Sequence, residues 1–307
     1  MTRRKCKTYA RANVSQILIL ALVLSLTAII IIWSQKEESK TESEDEYQYQ
    51  LTEKWATPND LKIPESVLFD NSRNVLYVSN INGRPSEKNG NGFISKVTLA
   101  GEIENLEWIT GLNAPKGMGI WQNNLYVSDI DELVEIDIEA GEILNKYQTE
   151  DAMFLNDVTV DDTGNVYVSD MSSQNSVIYK FFDGKLEVWL QSEQISSPNG
   201  LFFEDGRLIV GTNDGYLKEI NLVDKSITTI AKTDFGIDGL QGVDGENFIV
   251  SDWEGRTAFV SSTGYVKVLM NTAESEINSA DIEYIPENRL LLIPTFYDNR
   301  VMAYELT

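Results

Sequence analysis

The sequence has no histidine and one cysteine in 307 residues, and its 25 Lys and Arg are outnumbered by 48 Asp and Glu. Without histidine there is no Ser-His-Asp or Cys-His nucleophile pair, no imidazole general base and no zinc site that needs imidazole. Cys6 alone excludes an intrachain disulfide and a CxxC redox or zinc motif. A net charge of −23 argues against nucleic-acid binding by phosphate neutralisation. Any catalysis must then use carboxylates, Lys, Tyr or a hard metal ion.

Charge is also missing locally. No charged residue occurs from Ala12 to Gln35, a run of 24, and its centre from Ile17 to Trp33 is almost continuously aliphatic. Such a run is long enough to span a hydrocarbon core of about 30 Å as a helix. Five basic residues (Arg3, Arg4, Lys5, Lys7, Arg11) precede it, and they leave residues 36–307 at −28. The positive-inside rule predicts a cytoplasmic tail over 1–11, a transmembrane signal anchor over 12–35 and a periplasmic or extracellular remainder. The run ends Ile-Ile-Ile-Ile-Trp, which suits a cleavage site poorly. Cys6 lies before the run, where a lipoprotein needs its cysteine after it. Residues 36–50 (KEESKTESEDEYQYQ) read as a solvated acidic stalk.

From Leu51 onward there is no amphipathic helical period. Short β-branched and aromatic runs alternate with turn residues, and one phrase recurs. It appears as Leu76-Tyr-Val-Ser-Asn80, Leu125-Tyr-Val-Ser-Asp129, Val166-Tyr-Val-Ser-Asp170, Leu208-Ile-Val-Gly-Thr212, Phe248-Ile-Val-Ser-Asp252 and Leu291-Leu-Ile-Pro-Thr295, at steps of 49, 41, 42, 40 and 43. Four strands per unit, six times over, predict an all-β six-bladed β-propeller over 51–307. The last unit ends at its third strand, Val301-Met-Ala-Tyr304. The segment Leu51-Thr-Glu-Lys-Trp55 is expected to supply the fourth and close the ring. The phrase-ending Asp129, Asp170 and Asp252 are expected to accept backbone amides at strand ends, and Trp55, Trp108 and Trp189 to pack between blades.

In a propeller the first strand of each blade lines the axis. Aligning the repeats places Glu65, Lys116, Asn156, Asn199, Asp238 and Asp281 around one mouth of the channel. Carboxylates and carboxamide oxygens are hard donors. They suit Ca²⁺, with Mg²⁺ and Mn²⁺ also open, and disfavour Zn²⁺ and Cu²⁺. Without a cation, crowded carboxylates repel and their pKa values rise. A Gly- and Asn-rich insertion, Ile81 to Gly92, is expected on the same face, with Arg84 available to an anionic substrate.

The motifs Pro64-Glu65-Ser66, Leu155-Asn156-Asp157, Ser197-Pro198-Asn199-Gly200-Leu201 and Ile237-Asp238-Gly239, in order on successive blades, resemble those of the senescence marker protein, gluconolactonase and luciferin-regenerating enzyme family. The paraoxonases are more distant relatives. The resemblance covers about 250 residues from Ile63. It implies a divalent metal, usually Ca²⁺, on Glu65, Asn199 and Asp238, with Asn156 a further ligand or a substrate contact. It also implies hydrolysis of lactones or related esters. Asp238 or Asp157 would be the base and Lys116 would orient substrate or support the oxyanion. The alternative is a non-enzymatic anchored propeller that binds a protein or glycan around a structural metal.

Overall fold

Each blade is a meander of short strands that the sequence bounds with turn residues. The computed structural model describes residues 48–172 and 176–307. The predicted anchor therefore lies outside the described residues. No helix among those described is long and apolar enough to cross a membrane.

Six four-stranded sheets form the propeller. Blade one holds β2 (Pro64–Asp70), β3 (Val75–Asn80), β4 (Gly92–Val97) and β5 (Ile103–Leu112). Blade two holds β6 (Pro115–Trp121), β7 (Asn124–Asp129), β8 (Glu132–Asp137) and β9 (Glu142–Gln148). Blade three holds β10 (Leu155–Val160), β11 (Val166–Asp170), β12 (Val177–Phe182) and β13 (Lys185–Gln191). Blade four holds β14 (Pro198–Glu204), β15 (Arg207–Thr212), β16 (Tyr216–Asn221) and β17 (Ile227–Lys232). Blade five holds β18 (Leu240–Val243), β19 (Asn247–Asp252), β20 (Arg256–Val260) and β21 (Val266–Asn271). Blade six combines β22 (Glu283–Ile285), β23 (Leu290–Pro294) and β24 (Val301–Leu306) with β1 (Leu51–Ala56) from the other end of the described chain.

The closing strand lies where the incomplete last repeat requires it. β1 runs antiparallel to β24, with Leu51 opposite Leu306 and Ala56 opposite Met302. Closure removes the open edges that an unfinished array would leave. Tyr49, just before β1, stacks on Phe259 and donates to Asp244 in the β18–β19 turn.

The repeated phrase opens on three large hydrophobic residues because its strand is covered on both sides. Every residue of β3 and of β11 is buried. Their side chains help fill the seams between neighbouring blades: Tyr77 of β3, with Ile94 and Leu112, meets Met118, Val127 and Val134 of blade two. The tryptophans complete these seams. Trp55 joins the cluster of Val67, Leu76 and Leu292, and Trp108 that of Met118 and Val134. The hairpins close on residues that accept positive φ, such as Asp183-Gly184 and Asp205-Gly206.

Gly101 reports on the closing strand. A Cβ there meets Trp55 Cε3 at 2.5 Å, whereas a Cβ at Gly184, also at positive φ, meets nothing within 4 Å. Gly184→Ala is expected to cost only backbone strain, about 1–2 kcal/mol. Gly101→Ala should cost about 1–3 kcal/mol more through overpacking. Urea unfolding of both variants checks this, and equal losses would mean that Trp55 does not pack at that seam.

Candidate functional site

Three of the axial strands begin with proline: Pro64, Pro115 and Pro198. Proline offers no N–H to a ladder and fits the first position of a strand. Immediately after it the register slips, between Pro64 and Ser66, Pro115 and Met118, and Pro198 and Leu201. Blade three slips likewise between Leu155 and Val158. Such bulges re-aim side chains. The residues they carry are Glu65, Lys116, Asn156 and Asn199. Asp238 stands at the equivalent point just before β18.

The Ser-Asp phrase fixes these points from behind. Asp129 accepts the N–H of Asn113 at 2.8 Å and of Ala114 at 2.7 Å. Asp170 accepts Met153 N–H at 3.0 Å and Phe154 N–H at 3.2 Å. Each pins the segment that leads into its own axial strand. Asp252 accepts Glu254 N–H at 3.3 Å and pairs with Arg256. The serines reach the next blade. Ser169 Oγ accepts Asp157 N–H at 2.9 Å and donates to the Asn199 carbonyl at 2.7 Å. Ser251 Oγ accepts Gly239 N–H and donates to the Ala280 carbonyl, both at 2.7 Å. Ser128 Oγ donates to the Asn156 carbonyl.

This pattern sorts the axis into two tiers. Glu65, Lys116, Asn156, Asn199, Asp238 and Ala280 are equivalent, and one residue on lie Ser66, Gly117, Asp157, Gly200, Gly239 and Asp281. The expectation that Asp281 joins the mouth is therefore corrected. The serine bond falls on Ala280, and Asp281 sits in the lower tier, where it accepts Ser66 Oγ–H at 2.6 Å. Glycine recurs in that tier because the blades touch there. A Cβ at Gly200 would lie 2.4 Å from the Asp238 carbonyl oxygen, and one at Gly117 2.5 Å from Asp157 Cα.

The upper tier forms the floor of a cavity of about 620 Å³ that Glu65, Lys116, Asn156, Asn199 and Asp238 share. All five are buried. Asn199 donates from Nδ2 to Asp238 Oδ1 at 2.7 Å. Asn156 turns its amide toward Met171 Sδ at 3.4 Å. Lys116 is no surface lysine: it is 1% exposed, donates to the Ala114 carbonyl at 3.0 Å and lies 4.5 Å over the Phe154 ring. Two buried oxygens, Glu65 Oε2 and Asn199 Oδ1, have no hydrogen-bond partner among the described residues. Leaving such an atom unpaired costs about 1–3 kcal/mol. A hard cation would satisfy both. Among the described residues no three acidic or thiol side chains gather as a ready metal cluster. The carboxamide oxygens would thus have to act as ligands beside the two carboxylates.

The electrostatics agree with crowding. Burial, then the nearby Asp238, pushes the Glu65 carboxyl well above its ordinary range. Burial pushes Asp238 up to about 7, against the bond from Asn199. Burial draws the Lys116 ammonium down, while Glu65 opposes this.

Asp157 lies apart from this floor. It lines a second cavity of about 300 Å³ with Asp281 and Glu283. Its two oxygens accept Val158 N–H and Leu201 N–H, both at 2.6 Å. That is a brace between blades three and four. Arg84 is exposed and does not line the first cavity, although its neighbours Ile81 and Pro85 do. Arg256 is the arginine on the wall, with Trp253, Phe296 and Tyr297, none of which the sequence reading named. A signal existed. Trp253 directly follows the Ser-Asp phrase of blade five, and Phe296 follows the matching Thr295 of blade six.

No protein-family model and no curated protein sequence matches the chain. Solved structures do. A protein assigned as a gluconolactonase superposes with a TM-score of 0.60 at 14% identity, over 85% of this chain and 93% of that one. A virginiamycin B lyase from Staphylococcus aureus gives 0.58 at 13%, over 85% and 100%. A chain of a nidogen/laminin complex gives 0.58 at 16%, over 70% and 82%. At these identities the likeness establishes the fold. It is that of a six-bladed β-propeller.

Glu283, half-buried at the wall of the second cavity, tests the electrostatics away from the floor. Burial lifts its carboxyl from 4.5 to about 8. A raised folded-state value means stability that is complete below about 4.5 and is lost as pH rises through about 8. Glu283→Gln should flatten the decline of the melting temperature between pH 5 and 8, as read by calorimetry (about these limits from the linkage relation). An unchanged slope would contradict the shift.

Proposed function

We propose that the protein is a divalent-metal-dependent hydrolase of lactones or related carboxylic esters. The observation that carries this reading is the pair of unpaired buried oxygens, Glu65 Oε2 and Asn199 Oδ1, at the floor of a large cavity beside Asp238. Glu65, Asn199 and Asp238 would hold the ion and Asn156 would complete the set or contact the substrate. Ca²⁺ suits these oxygen donors best, with Mg²⁺ and Mn²⁺ next. When bound, such an ion polarises a carbonyl oxygen and stabilises the oxyanion.

The chain's own groups do the rest. Asp238 takes a proton from the attacking water as its oxygen bonds to the carbonyl carbon. Contact with a cation lowers the basicity of that carboxyl and keeps it ionised. Lys116 adds positive charge beside the forming oxyanion. As the ring C–O bond breaks, the leaving alkoxide takes the proton back from Asp238.

Hydrolysis by the full chain should need Ca²⁺, stop in chelator and fall by at least about 10²-fold in kcat/KM in Glu65→Gln and Asp238→Asn. No turnover of lactones or aryl esters, with melting still chelator-sensitive, would favour a binding propeller around a structural metal. If chelator changed neither activity nor melting, the metal site would be refuted. Residues 12–35 are proposed to anchor the protein with its propeller outside the cytoplasm. External protease should then digest the propeller in intact cells, and full protection would contradict that orientation.

A further inference from the structure

The two asparagines of the floor spend an amide hydrogen on this chain's own acceptors. Asn199 Nδ2 donates to Asp238 Oδ1 at 2.7 Å, and Asn156 Nδ2 donates to the Met171 sulfur at 3.4 Å. Each is left with its oxygen for the cavity that both residues line. For Asn199 the partner is a carboxylate of the same floor. For Asn156 it is a thioether, and that sulfur is the one side-chain partner of its amide among the described residues.

The backbone around Asn156 is already held. Its carbonyl accepts Ser128 Oγ–H, and the next N–H, of Asp157, donates to Ser169 Oγ at 2.9 Å. What this leaves free is rotation of the side-chain amide. Turning the amide over would set its oxygen against the sulfur, two acceptors with no hydrogen between them. Met171 is held in its turn. It follows the Ser-Asp phrase of blade three, and its N–H donates to the Phe154 carbonyl at 2.9 Å, while Asp170 accepts Phe154 N–H at 3.2 Å. A thioether suits this task. It is a weak, soft acceptor, so it orients the amide without joining the hard oxygens around a cation. A carboxylate in its place would add charge to a crowded floor.

We propose that Met171 is a positioning residue of the cation site: it turns the Asn156 oxygen toward the ion, and oxidation of its sulfur by a hydroperoxide releases that grip. The inference rests on the metal reading above. Met171 is half-buried and lines the first cavity, where a small peroxide reaches it. A sulfur lone pair attacks one peroxide oxygen, an S–O bond forms and the O–O bond breaks. The sulfur is oxidised by two electrons and the peroxide reduced, and with hydrogen peroxide the departing hydroxide takes the remaining proton and leaves as water. Acceptor strength then moves from the sulfur to the new oxygen, and the Asn156 amide must follow it or lose its partner.

Calorimetric titration of the chelated full chain with Ca²⁺ tests this. Met171→Leu keeps the volume and removes the acceptor. It should weaken Ca²⁺ about three- to tenfold, the range of one hydrogen bond, with the melting temperature of the ion-free protein unchanged. Met171→Gln restores an acceptor at similar reach and should recover most of the affinity. Met153, 46% exposed, is the competing target for peroxide, so oxidation is followed in Met153→Leu. Peptide mass mapping should place a sulfoxide on Met171, Ca²⁺ affinity should fall as in Met171→Leu, and methionine sulfoxide reductase should restore it. The Met153→Leu/Met171→Leu protein should not respond to peroxide. Wild-type affinity in Met171→Leu, or a loss that Met171→Gln does not recover, would overturn the positioning role while leaving the metal reading intact. Affinity unchanged by a mapped Met171 sulfoxide would overturn the release. Absence of Ca²⁺ binding by the unaltered protein would sink the metal reading and this inference with it.

Discussion

Everything at the site depends on ring closure. The six axial strands converge only because β1 completes the sheet that the last repeat leaves short. Convergence brings buried polar side chains from five blades to one floor, where charge is costly. Buried carboxylates in such a place protonate or find a counter-charge. The upward displacement of Glu65 and Asp238 and the unpaired oxygens on Glu65 and Asn199 are consequences of one geometric constraint.

The Ser-Asp phrase is how a short repeat enforces that geometry. In blades two and three its carboxylate, Asp129 or Asp170, ties down the segment leading into the same blade's axial strand. Its hydroxyl reaches the neighbouring blade and grips the carbonyl of Asn156, Asn199 or Ala280. Where the neighbours touch most closely, glycine removes the side chain. A repeated structural device thus holds a non-repeated set of functional groups. That division explains why one side chain per blade varies, from Glu to Lys to Asn to Asp, while its surroundings do not.

Much of this was legible in the chain itself. The repeat spacing identified the propeller, the truncated last unit identified the closing strand, and five of six mouth positions followed from alignment. Asp281 was placed one residue wrong because the bulges absorb a residue where the tiers divide, so spacing alone cannot tell Ala280 from Asp281. Asn156 and Asp157 are neighbours in sequence, but the strand turns consecutive side chains to different surroundings, and they line different cavities. The aromatic wall sits on the turns after β19 and β23, where there is no period to read. The loop that carries Arg84 reaches the cavity only through Ile81 and Pro85, and Arg256 is the arginine on the cavity wall.

The account's central claim is that the floor of Glu65, Asn156, Asn199 and Asp238 is a site for a hard cation. Its most direct test is calorimetric titration of the chelated protein with Ca²⁺ in two buffers of unlike ionisation enthalpy, near pH 6. The account predicts binding of a single ion with release of protons from the elevated carboxyls, lost in Glu65→Gln and Asp238→Asn. Absence of binding, or binding that both variants retain in full, would contradict it.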